Sequence, residues 1–241
     1  MFSLIKKEVN TFFSYASGTI IILSYLFTNG VLMWLISSEF NIIDSGFAQM
    51  DGLFSVSPFL FLIFIPALCM RLFSDEYKDG TIEILKTLPI STYKLVMAKY
   101  ISATIIVCLA IVPTLVYFIS IYYLSDPIGN VDIAGTIGSY IGLFLLSALF
   151  ISIGVFSSSI TKNQMVSFLT AILLCSLFYF GFDLLAKQLK LGYVQIIIEY
   201  IGSDYHYRSL SKGVIDSRDI IYFISLIVIF LQSTIFVLRN N

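Results

Sequence analysis

Charge is what this sequence has least of. Asp, Glu, Lys and Arg make up only 12% of its 241 residues, against roughly 25% in an ordinary soluble domain. Net charge is −1, so there is no basic field for nucleic acid. Histidine occurs once, at His206, and a lone histidine without neighbouring ligands is a poor metal candidate. The three cysteines, Cys69, Cys108 and Cys175, sit in separate apolar runs with no C-x-x-C spacing. They suggest neither a zinc site nor a disulfide framework; a buried free cysteine packs as a small hydrophobe. The phosphate-binding pattern G-x-x-x-x-G-K-[ST] is missing, which excludes ATP hydrolysis of the P-loop kind within this chain. No acids, histidines or nucleophiles gather at one depth, as an integral-membrane enzyme would need. Asp126 and Asp183 fall at the ends of apolar runs, where water can solvate them. They form no chain of acids and bases for a proton-driven carrier.

What the chain does have is apolar length. Hydrophobic residues are 58% of it, mean hydropathy is +0.94, and only lipid can solvate that much apolar surface. Six runs reach the ~20 residues that a helix needs to cross a bilayer: 18–36, 53–70, 100–124, 136–157, 164–184 and 219–238. They are apolar on all sides and too long for barrel strands, which predicts an all-α membrane protein. The first run reads as a span rather than a cleavable signal, since it starts far from the first residue and lacks a small-residue cleavage site. Pro66 and Pro113 mark either simple kinks or hinges. Gly138 and Gly142 form a G-x-x-x-G that lets another segment approach closely, within this chain or from another.

Loop charges predict the orientation. Lys6, Lys7, Arg71, Lys78, Lys86, Lys94, Lys99, Lys162 and Arg239 fall on one side, and the first two opposite loops carry only acids. Both termini are therefore expected in the cytoplasm. Lys187, Lys190, Arg208, Lys212 and Arg218, in the last opposite loop, run against the rule.

Three polar stretches stand out. In residues 2–16, Phe2, Ile5, Val9, Phe12 and Phe13 share a helical face with Lys6, Lys7 and Asn10 away from it, as in a helix lying among lipid headgroups. Residues 71–99 are too polar to span. A short helix can start at Asp79 or Thr81 and stop at Pro89, with Thr81, Ile84, Leu85 and Leu88 on one face and Glu83 on another. Ser91 can cap the helix that enters the third span. Charges beside an apolar stripe suit docking on another protein, although a connector with a solvated face would look similar. In the last loop Leu191, Val194, Ile197, Ile198 and Ile201 recur at helical spacing among tyrosines. This predicts one or two short surface helices that either cap a pathway or anchor at the interface.

Arg71, Glu76, Gly80-Thr81, Glu83, Leu88-Pro89, Ser91 and Lys99 resemble the signature of the type-2 ABC transporter permeases, and the likeness runs along the whole chain. The last loop and sixth span, with Arg208, Gly213-Val214-Ile215-Asp216, Arg218-Asp219 and Tyr222-Phe223, resemble a narrower subgroup. That subgroup includes the gliding-motility permease GldF and the copper-enzyme maturation permease NosY. The resemblance implies one permease domain over 1–241: an interfacial elbow helix at 1–17, six spans, a cytoplasmic coupling segment at 71–99, and an outer loop at 185–218 with short helices. It implies a bacterial inner-membrane subunit that is not an enzyme and holds no cofactor, ATP and Mg being bound by a partner. Asp75, Glu76, Gly80, Thr81, Glu83, Ile84, Leu85, Leu88, Pro89 and Ser91 are the residues it assigns to coupling with that partner. The implied partners are a GldA-like ATP-binding subunit, a GldG-like membrane subunit, and a second permease copy or homologue. A NosY-like role is the alternative within the family. A passive channel is the alternative outside it, and would have no use for a docking helix.

Overall fold

The computed structural model describes residues 1–37, 40–44, 46–83, 90–189 and 192–240. Among the described residues there are helices and turns and no strand. In chain order the helices are α1 (Phe2–Ser14), α2 (Ala16–Trp34), α3 (Asp51–Cys69), α4 (Ser74–Lys78), α5 (Thr92–Ile111), α6 (Leu115–Leu124), α7 (Ile133–Ile160), α8 (Gln164–Ser176), α9 (Phe182–Leu189), α10 (Gly192–Ile201), α11 (Ser203–Leu210) and α12 (Ser217–Asn240).

Among the described residues, five helical stretches are long and apolar enough to cross a membrane: Asp51–Lys78, Thr92–Leu124, Ile133–Ile160, Gln164–Gln188 and Ser217–Asn240. A sixth arises if Phe2–Ser14 and Gly18–Trp34, bent by 72°, count as one span. By itself Gly18–Trp34 is about 26 Å long at 1.5 Å per residue, slightly less than the hydrocarbon core. The bend separates a surface helix, none of whose residues is buried, from an apolar one. This multi-pass all-α architecture is the one expected from the apolar runs.

α7 is the axis of the bundle. In its most apolar stretch 78% of residues are buried within the protein, against 22% for Gln164–Gln188. Composition explains the difference: Gly138, Gly142, Ser147, Ala148, Ser152, Gly154, Ser157, Ser158 and Ser159 are all buried along it. Small side chains let neighbouring helices come close where no hydrophobic force drives helices together. Three of these serines satisfy themselves locally. Ser147, Ser152 and Ser159 each donate to the carbonyl three residues earlier, at 2.7 Å.

α3 runs through both Pro58 and Pro66 without ending. Pro113 instead sits in a short tight turn, Val112–Thr114, that separates α5 from α6. There the buried Thr114 hydroxyl donates to Ile111 O at 2.6 Å and meets the Tyr140 hydroxyl of α7 at 3.1 Å, so the broken span stays anchored to the axis. The third membrane stretch begins at Thr92, earlier than residue 100, because Ser91 caps it by accepting from Lys94 N at 3.4 Å.

Helix direction defines two ends. α3 and α7 begin together at one end, where Tyr207 of α11 donates to Phe54 O at 2.6 Å and Ser139 donates to Ser211 O at 2.7 Å. They finish together at the other, where α1, α4 and the start of α5 lie. Gly138 and Gly142 serve the first of these ends. A Cβ on Gly138 would stand 2.8 Å from Gly213 Cα, and one on Gly142 2.7 Å from Leu210 Cβ. The G-x-x-x-G partner is therefore α11 and the turn after it, in the same chain, rather than another span.

Candidate functional site

At the elbow end a lysine lies where lysine is costly. Lys99, two turns into α5, is 1% exposed. A buried ammonium is tolerated only when its donors are matched. Its Nζ donates to Glu76 Oε1 at 2.8 Å, Glu8 Oε1 at 3.2 Å and Leu72 O at 2.5 Å, and sits 4.9 Å from the Phe73 ring centroid. Each partner comes from a different element. Glu8 belongs to the surface helix α1, Leu72 to the turn after α3, and Glu76 to α4.

The same short helix is held from two further sides. Ser158, near the end of α7, accepts from Phe73 N at 2.9 Å and Ser74 N at 3.2 Å, and donates to Met70 O at 3.3 Å. Ser74 also donates to Met70 O. Asp75 accepts from the Gln164 side chain at the start of α8. Arg71 lies over the Tyr15 ring at 5.6 Å, at the bend after α1. The five residues of α4 thus touch α5, α7 and α8, continue α3, and reach α1 through Lys99, so a displacement of α4 is felt by most of the bundle.

This geometry redistributes the residues that sequence similarity assigns to coupling. Asp75 and Glu76 turn their carboxylates into the protein from α4, and residues 81–83 are helical again, where the sequence leads one to expect a short helix to start. Gly80, Thr81 and Glu83 are exposed beyond α4, and Ile82 between them is buried. Gly80 has φ +70°, the left-handed conformation in which glycine carries no Cβ penalty. Thr81 donates back to Glu76 O at 3.4 Å. Ser91 is the α5 cap. Ile84, Leu85, Leu88 and Pro89 lie outside the described residues. Two participants have no sequence signal of their own: Glu8, an acid inside a basic amphipathic helix, and Ser158, one of many serines in α7.

The opposite end holds a cavity of about 540 Å³ between the starts of α3 and α7, α11, and the segment Leu177–Gly181. That segment is a π-helical turn joining α8 to α9, and it directs Tyr179 and Phe180 to the cavity. Such widened turns recur at functional sites, and no residue pattern announces this one. The polar wall includes Asp51, Asp132, Asp204, Arg208 and Lys212. Asp132 caps α7 by accepting from Gly135 N at 2.9 Å. Asp204 meets Arg208 at 2.5 Å. Burial pushes the Asp204 carboxyl above the usual carboxylate range, and Arg208 opposes that shift. Among the described residues no group of three or more His, Cys, Asp or Glu side chains is placed to hold a metal.

The last polar stretch forms the two short helices α10 and α11. They differ in character: α10 has no buried residue, whereas α11 buries Ser203, Asp204, His206, Tyr207 and Leu210.

A family model described as ABC-2 family transporter protein matches residues 3–237. A search among curated proteins finds no match. With that match over nearly its full length and apolar helices enough to cross a membrane several times, the chain belongs to the ABC-2 transporter family, as a multi-pass permease subunit rather than a catalytic one.

Proposed function

We propose that the segment from Asp75 to Ser91 transmits the movement of a separate ATP-binding subunit to the spans, through the Lys99 junction. Family membership implies an ATP-binding-cassette partner in general. The observation that carries the finer reading is the set of ties around α4. A peripheral movement does work on a bundle only through a stiff contact, and α4 is fixed to α5, α7 and α8 and, through Lys99, to α1. Gly80, Thr81 and Glu83 stand exposed just beyond it, the right place for contact with a partner. In this division Asp75 and Glu76 carry force inward and Glu83 meets the partner.

The elbow end then faces the cytoplasm of a bacterial inner membrane, with both termini there, in keeping with the nine Lys and Arg residues on that side. ATP and Mg belong to the partner. Within the family we assign the chain to a gliding-motility type of complex, with a GldA-like ATPase, a GldG-like membrane subunit and a second permease copy or homologue. The support is the likeness of the last loop and span to GldF.

Pull-down of the ATPase with wild-type and Glu83→Lys chains tests the reading. Charge reversal should weaken association or abolish transport-linked ATPase stimulation while insertion stays normal. Undiminished association together with undiminished stimulation contradicts it. Co-purification with a GldG-like protein supports the gliding type, and co-purification with copper-enzyme assembly proteins the NosY type.

A further inference from the structure

We propose that His206 and Asp219 form a proton-binding clasp that fixes the exposed helix α10 to α12, on the face opposite the elbow helix.

His206 is the chain's only histidine. Its side chain and that of Asp219 are 4% and 7% exposed. Both ring nitrogens are engaged: Nδ1 lies 2.6 Å from Asp219 Oδ1, and Nε2 lies 2.9 Å from Tyr200 O. A neutral imidazole has one N–H and one lone pair. The Tyr200 carbonyl only accepts, so Nε2 carries a proton. The short contact to Asp219 then needs a second proton, on Nδ1 or on the carboxyl. The total is the same for an imidazolium beside a carboxylate and for an imidazole beside a carboxylic acid. The site therefore holds one proton more than a neutral imidazole facing an ionised carboxylate.

Loss of that proton leaves one N–H for two acceptors. The charged acceptor makes the stronger hydrogen bond, so the imidazole keeps Asp219 and turns a lone pair on Tyr200 O. Asp219 Oδ2 is buried without a hydrogen-bond partner among the described residues, so the carboxylate has no other nearby donor to accept from. The clasp then opens at α10. Tyr222 shapes it from α12: its ring stacks on the imidazole at 3.9 Å and 23°, and its hydroxyl donates to Ile201 O at 2.5 Å. These two residues hold the last turn of α10.

The other charged and titratable groups near the clasp are already committed or lie to the side. A hollow of about 500 Å³ adjoins it. From α9, Asp183 and Lys187 pair with each other at 2.6 Å. From α11, Asp204 pairs with Arg208, and the Tyr205 ring stands 5.4 Å from the imidazole. From α10, the Tyr200 ring is 5.7 Å away, and Glu199 accepts from Gln195 at 3.2 Å. From the turn before α12, Asp216 caps Arg218 N at 2.9 Å, while Arg218 and Lys212 line the hollow. Among the described residues the one ion pair of Asp219 is with His206. α10 buries none of its residues and packs along α9, so when the Tyr200 tie is lost the α9–α10 pair is left joined to α12 through the Tyr222 hydroxyl on Ile201 O, and it moves as a flap over the hollow.

The test uses the full chain in lipid nanodiscs, with its three cysteines replaced and spin labels at the exposed Tyr193 and Ile221. The α10–α12 distance distribution is measured from about pH 5 to pH 9, the range in which histidine-based switches operate. The single imidazole is followed in parallel by nitrogen NMR on histidine-labelled protein. The expected result is a narrow distribution at low pH that broadens at higher pH with a one-proton midpoint. His206→Phe, which keeps a ring against Tyr222 but no donor, should be broad and independent of pH. Three results overturn the proposal: a wild-type distribution that stays narrow throughout, an unchanged pH response in His206→Phe, or an imidazole titration with no change in distance. Should His206→Phe fail to fold, the wild-type titration decides alone.

Discussion

Replacing Lys99 by Met removes the charge at the junction and nearly keeps the volume. Glu8 and Glu76, 14% and 13% exposed in their side chains, are then left close together without a cation, and Leu72 O loses a donor 2.5 Å away. Removing one partner of a buried ion pair costs about 3–5 kcal/mol. Some water reaches both carboxylates, and either can take up a proton, so about 2–4 kcal/mol is the working figure here. That is roughly a 30- to 700-fold fall in the folded-to-unfolded ratio. Neutralising the whole junction, with Lys99→Met, Glu8→Gln and Glu76→Gln together, strands no charge and should return stability to within about 1 kcal/mol of wild type. It does not restore the charged tie between α1, α4 and α5. Reversible unfolding of the single and triple variants in bilayer-like lipid measures the first effect, and stimulation of the partner ATPase the second. Two results refute the reasoning: a single variant as stable as wild type, or a triple variant no more stable than the single.

Further outcomes concern other parts of the chain. Gly138→Ala should destabilise by about 1–3 kcal/mol in the same unfolding assay, because its Cβ would meet the backbone of Gly213, not a side chain able to rotate away. Gly80→Ala meets no atom within 4 Å and should cost only the left-handed backbone penalty, about 1–2 kcal/mol. Ile197→Asp and Ile201→Asp alter exposed positions of α10; hydrogen exchange over residues 192–201 should quicken in lipid while the spans stay protected, and unchanged exchange would show that this helix does not rest on the membrane. Single cysteines at Asp44, Lys86, Asp132 and Ser209, in a chain cleared of native cysteine, should all react with an impermeant thiol reagent in intact cells except the one at Lys86; the opposite pattern inverts the proposed orientation.

Much of the fold was legible because lipid imposes simple terms: apolar runs of sufficient length, small residues at close contacts, and a proline, Pro113, where the third span breaks. The Ser91 cap was legible for a local reason, the hydroxyl that accepts from Lys94 N. What escaped was chemistry between distant positions. Glu8 and Lys99 are 91 positions apart, and nothing in the amphipathic pattern of α1 distinguishes Glu8 as inward-facing. Asp75 and Glu76 stand out in the sequence through the family resemblance alone; because a helix begins at Ser74 on Ser158, their carboxylates face Gln164 and Lys99. Ile82 is the buried residue of the helical stretch 81–83, and it lies off the stripe of Thr81, Ile84, Leu85 and Leu88 that periodicity marks. The G-x-x-x-G spacing announced a close approach but not its partner, a turn at Gly213. His206 has no metal-ligating neighbour in the sequence, and its partner, Asp219, comes from the next helix.

The central claim is that the segment around Gly80–Leu88 receives the movement of an ATPase and passes it to the spans through α4. The measurement that bears on it most directly is a cysteine crosslinking scan from Gly80 to Leu88 against the co-purified ATP-binding subunit, with and without ATP. Efficient crosslinks that include position 83 and change with nucleotide are the predicted result. An ATPase that co-purifies yet crosslinks at no position in that window contradicts the account.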